Sequence, residues 1–162
     1  MNWRYYLRSL AAEVSFLSEL PLDLDSLIRQ VSGAGHGAVT TFTGTVRDHH
    51  GGRPVVRLTY SAYVEMAESE CAAIVAEASL RWTIAVALQH RLGQLVVGDP
   101  AVIIAVGSAH RDAGFEACRW VIDAVKERVP IWKHEFFADG TSEWVDPTRS
   151  IVALPSAPTA SH

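Results

Sequence analysis

Apolar and polar positions follow two rhythms along the chain, and each switch between them marks an element. Leu24, Leu27, Ile28 and Val31 recur at helical spacing behind Asp23 and Asp25, either of which suits an N-cap. The pattern predicts a short strand and then a helix within residues 12–35, closed by Gly33 and Gly35. GAVTTFTGTVR (37–47) is rich in Val, Thr and Phe and reads as a strand, as does VVRLTYSAY (55–63). Between them, DHHGGRP (48–54) has the turn chemistry of an exposed, mobile loop. Helical spacing returns at 64–82, with Ala67, Cys71, Ile74, Val75, Ala78 and Trp82 on one side and acids early, where a helix dipole favours them.

TIAVALQHRLGQLVVGD (83–99) reads as a strand followed by a glycine-marked turn, a structural role. PAVIIAVGSA (100–109) is one apolar run, the mark of a strand buried on both faces. A helix is predicted over 110–129, with Phe115, Cys118, Val121, Ile122, Val125 and Val129 on its apolar side. PIWKHEFFADGTSEWVD (130–146) reads as a β-hairpin turning at Asp139-Gly140. Mixed strands and helices ending in a hairpin favour an α+β fold with a mixed or antiparallel sheet over a doubly wound one.

Composition narrows the function classes. A chain of 162 residues suits one domain with a proper core. A net charge of −4 argues against general nucleic-acid binding but allows a local basic pocket. Cys71 and Cys118 both fall among apolar helical neighbours, so a reducing cytoplasm is expected rather than a disulfide framework. The N-terminal stretch has no long apolar run or cleavage site, and no segment reaches membrane-span length, so neither signal peptide nor membrane association is expected. There is no GxGxxG, Walker loop, CxxC or HExxH, so no cofactor and no metal are expected. His49-His50 gets no weight as a metal pair, because adjacent side chains point apart and no further ligand pattern surrounds them.

The candidate chemistry centres on KERVPIWKHE (126–135). Pro130 pushes Val129 out of the helical region, so the helix ends near Arg128 and Lys126 sits in its last turn. Beyond it the chain is extended. Ile131, Lys133, Glu135 and Phe137 then share one face, and Trp132, His134 and Phe136 the other. Both lysines could therefore point into one corner. The plain alternative is two solvated lysines, paired with Asp123 and Glu135. If they converge, two close ammonium groups repel, which makes one a better base or nucleophile, and together they attract anions. SAHR (108–111) opens the same helix, where free N–H groups, Arg111 and His110 suit a phosphate; an N-capping serine with a solvated arginine is the plain reading. Arg47, at a strand end beside the glycine-rich loop, is either a surface arginine or a further anion contact.

Taken together, FTGTVRDH (42–49), YSAYVEMAE (60–68), HRLGQLVVGD (90–99), VGSAHRDAGFEA (106–117) and KERVPIWKHE (126–135) resemble the large, catalytic subunit of molybdopterin synthase, in the family's order. The resemblance covers a domain at 13–146, leaving 1–12 as a variable extension and 147–162 as a loose tail. It implies an α/β hammerhead-like fold. It implies an enzyme, a sulfurtransferase of molybdenum cofactor biosynthesis, that turns cyclic pyranopterin monophosphate into molybdopterin. Sulfur would arrive as a thiocarboxylate on the C-terminal Gly-Gly of a small ubiquitin-like subunit. The large subunits would form a homodimer with a small subunit at each end, a heterotetramer. By the same resemblance Lys126 and Lys133 match the catalytic lysines, Arg47, His110 and Arg111 the substrate-anion contacts, and Glu135 the acid beside the second lysine. Ser61 and Thr45 depart from the pattern, standing where an acidic and a basic residue are common. The rival readings are a non-catalytic binding module for a ubiquitin-like partner and a phosphorylated ligand, and a lysine Schiff-base enzyme. Retention of both lysines argues against the first; the second requires a lysine buried in an apolar pocket.

Overall fold

The computed structural model describes residues 15–145. The predicted extension (1–12) and tail (147–162) lie outside the described residues, as do residues 13, 14 and 146 of the predicted domain. Nine strands and three helices are described: β1 (Leu17–Ser18), α1 (Leu24–Val31), β2 (Ala38–Thr45), β3 (His49–His50), β4 (Arg53–Ala62), α2 (Val64–Trp82), β5 (Ala85–Arg91), β6 (Gly93–Val96), β7 (Pro100–Ser108), α3 (Arg111–Arg128), β8 (Ile131–Phe137) and β9 (Ser142–Val145). One sheet has the order β1-β5-β7-β2, with β1 parallel to β5 and the rest antiparallel. The other runs β3-β4-β8-β9, with β6 also on β4, and is antiparallel throughout. The α+β expectation with mixed and antiparallel sheets is met.

The apolar run of β7 divides by parity, as a strand buried on both faces must. Val102, Ile104 and Val106 join the core under α2 and α3, with Ala67, Cys71, Ile74, Val121 and Val125. Ile103 and Ala105 face α1, against Leu27 and Val31. The Asp23 carboxylate accepts from the Ser26 N–H at 3.1 Å, which settles the N-cap of α1 in favour of Asp23 over Asp25. The end of α1 approaches β7 so closely that a Cβ on Gly107 would lie 2.0 Å from the Val31 carbonyl oxygen.

Three expectations are corrected. Residues 48–54 are not an open loop: His49 and His50 pair with Pro54 and Arg53 across a two-residue turn, Gly51 and Gly52, at φ +57° and +76°. Both turn residues need positive φ, and glycine supplies it without a Cβ clash. The glycine at 93 does not end the strand region. Residues 93–96 form β6 on β4, and Leu95, fully buried there, draws the segment into the second sheet. Phe115 is 62 % exposed rather than on the apolar side of α3, because Gly114, Ala117, Cys118, Val121 and Ile122 fill the buried stripe beside it.

Candidate functional site: a cationic cavity at the helix–strand corner

The corner at Pro130 forms as the sequence predicts. α3 ends at Arg128, and Val129 is extended at φ −79°, ψ 124°. The Ile131 N–H donates to the Val129 carbonyl at 2.8 Å, and the Tyr63 N–H donates to the Pro130 carbonyl at 3.2 Å, tying the corner to the start of α2. Arg128 anchors it from the other side: its two terminal nitrogens each donate at 2.9 Å to Glu77 and its Nε donates at 3.1 Å to Glu70. A planar fork on a carboxylate fixes direction as well as distance. The last turn of α3, which carries Lys126, is thereby clamped to α2.

Lys126, Lys133 and Arg47 line one cavity of about 360 Å³. Its walls include Phe42, Val102, Ile122, Val125, Val129 and Ile131, with Thr45, Tyr60 and His90 as further polar members. Among the described residues no carboxylate lines it, although the protein is acidic overall. The two lysines differ in their partners. Lys133 Nζ donates to Glu135 Oε1 at 2.8 Å, and both side chains are mostly buried. Among the described residues no carboxylate pairs with Lys126, which is exposed at the helix end; the Asp123 pairing is not formed. The arrangement disfavours a Schiff-base lysine, because neither ammonium is sealed in apolar surroundings.

Glu135 is 4 % exposed and its second oxygen is also used: it accepts from His50 Nδ1, on the β3–β4 hairpin. Burial would push the carboxyl's pKa up, but the hydrogen bonds and charges of Lys133 and His50 outweigh it and hold it below its ordinary value of 4.5. His50 is a site neighbour that the sequence reading missed. The signal was the Gly-Gly turn, which makes a hairpin of 48–54 and carries the histidine back toward β8. Tyr60 sits opposite Lys133 in register. Burial, and secondarily the Glu135 charge, pushes its hydroxyl up to about 12, so it stays protonated.

His110 and Arg111 do not join this cavity within one chain. They line a separate depression with Gly37, Ala38, Ala109 and Asp112 at the opposite end of α3. Fifteen residues of helix separate Arg111 from Lys126, a rise of roughly 22 Å. The N-cap of α3 is His110, with no side-chain capping bond, while Ser108 is fully buried and donates its hydroxyl to the His110 carbonyl at 2.7 Å. Among the described residues no cluster of His, Cys, Asp and Glu could hold a metal ion, and no helix is long and apolar enough to cross a membrane.

The family model described as MoaE protein matches residues 17–128. A molybdopterin synthase catalytic subunit of Thermoplasma volcanium is 44% identical over 125 residues, covering 76% of this chain and 89% of that one. Its counterpart from Bacillus subtilis is 40% identical over 141 residues, covering 86% and 89%. The crystal structure of molybdopterin synthase from Staphylococcus aureus superposes with a TM-score of 0.77 at 36% identity, covering 81% of this chain and 96% of that chain. The chain belongs to the MoaE family.

Proposed function

We propose that this chain is the catalytic subunit of a molybdopterin synthase, moving sulfur from the C-terminal thiocarboxylate of a small ubiquitin-like carrier onto cyclic pyranopterin monophosphate to build the dithiolene. The observation that carries the reading is a cavity lined by Lys126, Lys133 and Arg47 with no carboxylate in its wall among the described residues. Both reactants are anionic, and converging cations in partly apolar surroundings bind them more strongly than a solvated surface would. The lysines divide the work by their partners. Lys126, with no carboxylate partner among the described residues, transfers a proton or polarises the reacting group as the thiocarboxylate attacks. Lys133, oriented by Glu135, stabilises the negative charge that develops.

The separation of His110 and Arg111 from the cavity supports a homodimer, in which a second copy brings its own helix N-terminus and arginine to the substrate phosphate. With a carrier on each large subunit the assembly is a heterotetramer. A reducing cytoplasm suits Cys71 and Cys118, both buried and unpaired. Reconstitution with a thiocarboxylated carrier and the cyclic pterin tests the function: dithiolene product is expected, and its absence would remove the synthase reading. Mixing Lys126→Ala with Arg111→Ala chains tests the dimer. Restored turnover is expected if each cavity draws on two chains; none is expected if each chain works alone.

A further inference from the structure

His90 is 8 % exposed and lines the cavity. Its Nδ1 lies 2.8 Å from the Arg91 carbonyl oxygen. A carbonyl only accepts, so Nδ1 carries the proton and Nε2 carries a lone pair. Nε2 has no hydrogen-bond partner among the described residues. It is not sealed in protein either: the one buried side-chain nitrogen or oxygen there without a partner is Arg91 Nε. His90 is a lining residue of the cavity. Tyr60 packs edge-on to the imidazole, with ring centroids 4.9 Å apart and an interplanar angle of 82°, which fixes the ring's direction.

The other polar lining groups make this lone pair distinctive. Arg47, Lys126 and Lys133 can only donate, and the hydroxyls of Thr45 and Tyr60 can do either. Among the described lining residues Nε2 is the only side-chain atom that is purely an acceptor. Burial lowers the imidazole's pKa to about 4 despite its bond to the Arg91 carbonyl, so the ring is neutral near pH 7. An acceptor that a bound ligand seals from water without pairing it discriminates against ligands that cannot donate to it.

We propose that His90 Nε2 is a ligand-binding atom that accepts a hydrogen bond from an N–H of the bound reactant, while the cations hold that reactant's anionic end. This deepens the synthase reading and rests on it. Two reactants offer the chemistry. The carrier's terminal glycine has an amide N–H one methylene from its thiocarboxylate, and the pterin has ring N–H groups as well as its phosphate.

Binding measurements separate these sources without requiring turnover. One probe is a synthetic peptide ending in Gly-Gly, compared with an analogue whose last amide is an ester. The other is the cyclic pterin. If the tail supplies the N–H, the ester binds the wild-type chain about tenfold more weakly, the scale of one buried hydrogen bond. His90→Phe then binds both peptides alike. If the pterin supplies it, His90→Phe weakens pterin binding about tenfold, and His90→Gln, which keeps an acceptor, recovers most of the loss. His90→Leu replaces His90→Phe should the latter fail to fold. Equal binding of amide and ester to the wild-type chain, together with unchanged pterin binding on loss of the imidazole, overturns the proposal. Dithiolene formation by the wild-type enzyme in the same preparation shows separately whether the synthase reading stands.

Discussion

Lys133 Nζ lies 2.8 Å from Glu135 Oε1, and the other oxygen of that buried carboxylate is held by His50. One acid thus orients a cavity lysine and ties it to a hairpin 85 residues away in sequence. Glu135→Gln keeps a hydrogen-bond acceptor but removes the charge that faces Lys133. It is expected to lower turnover at least tenfold, and to cost about 1–3 kcal/mol of stability in urea unfolding.

The same contact predicts a pH dependence. The Glu135 pKa is lower in the folded protein than its ordinary value of 4.5, so the unfolded chain binds more protons in that region. The stability it contributes is complete above pH 4.5 and is lost as pH falls through the folded value. Urea midpoints at pH 7 and pH 4 check this: the wild-type protein is expected to lose more stability between them than Glu135→Gln does.

His50→Ala removes one of the two groups that lower the Glu135 pKa and loosens the carboxylate behind Lys133. Turnover is expected to fall severalfold with little change in substrate affinity, because His50 does not line the cavity. His50→Gln, which can still donate to the carboxylate, is expected to recover much of the loss. Steady-state kinetics on both variants decides it.

Two backbone positions predict stability changes of opposite sign. Thr83 caps α2 in the left-handed region at φ 52°, an unfavourable place for a β-branched residue. Thr83→Gly is expected to stabilise by about 0.5–1 kcal/mol, the relief of strain less the added unfolded-state freedom. Gly107→Ala places a Cβ 2.0 Å from the Val31 carbonyl oxygen. It is expected to cost about 3 kcal/mol or more, because α1 must back away from β7. Thermal or urea unfolding of each variant is the check.

Local features of the fold were legible because local physics sets them. Pro130 ends α3 where the steric rule places the end, and the parity of residues 131–137 puts Lys133 and Glu135 on one face. Features that depend on long-range packing were not. Nothing near His50 or His90 says that their rings reach a carboxylate on β8 or a cavity under α3. Leu95 looks like part of a turn until its burial against β4 makes it a strand. Phe115 shows the limit of periodicity, since the buried stripe of α3 was already filled by smaller residues. The distance between Arg111 and Lys126 was available from helical rise alone, yet both belong to motifs that invite a single pocket.

The central claim is that Lys126, the cavity lysine without a carboxylate partner among the described residues, carries the proton transfer or polarisation in sulfur transfer. Its direct test is the single-turnover rate of dithiolene formation by Lys126→Ala, reconstituted with thiocarboxylated carrier and cyclic pterin. The account predicts a loss of roughly 10²–10⁴-fold with the melting temperature nearly unchanged, since Lys126 is exposed and makes no ion pair among the described residues. A folded Lys126→Ala protein that turns over at the wild-type rate would contradict it.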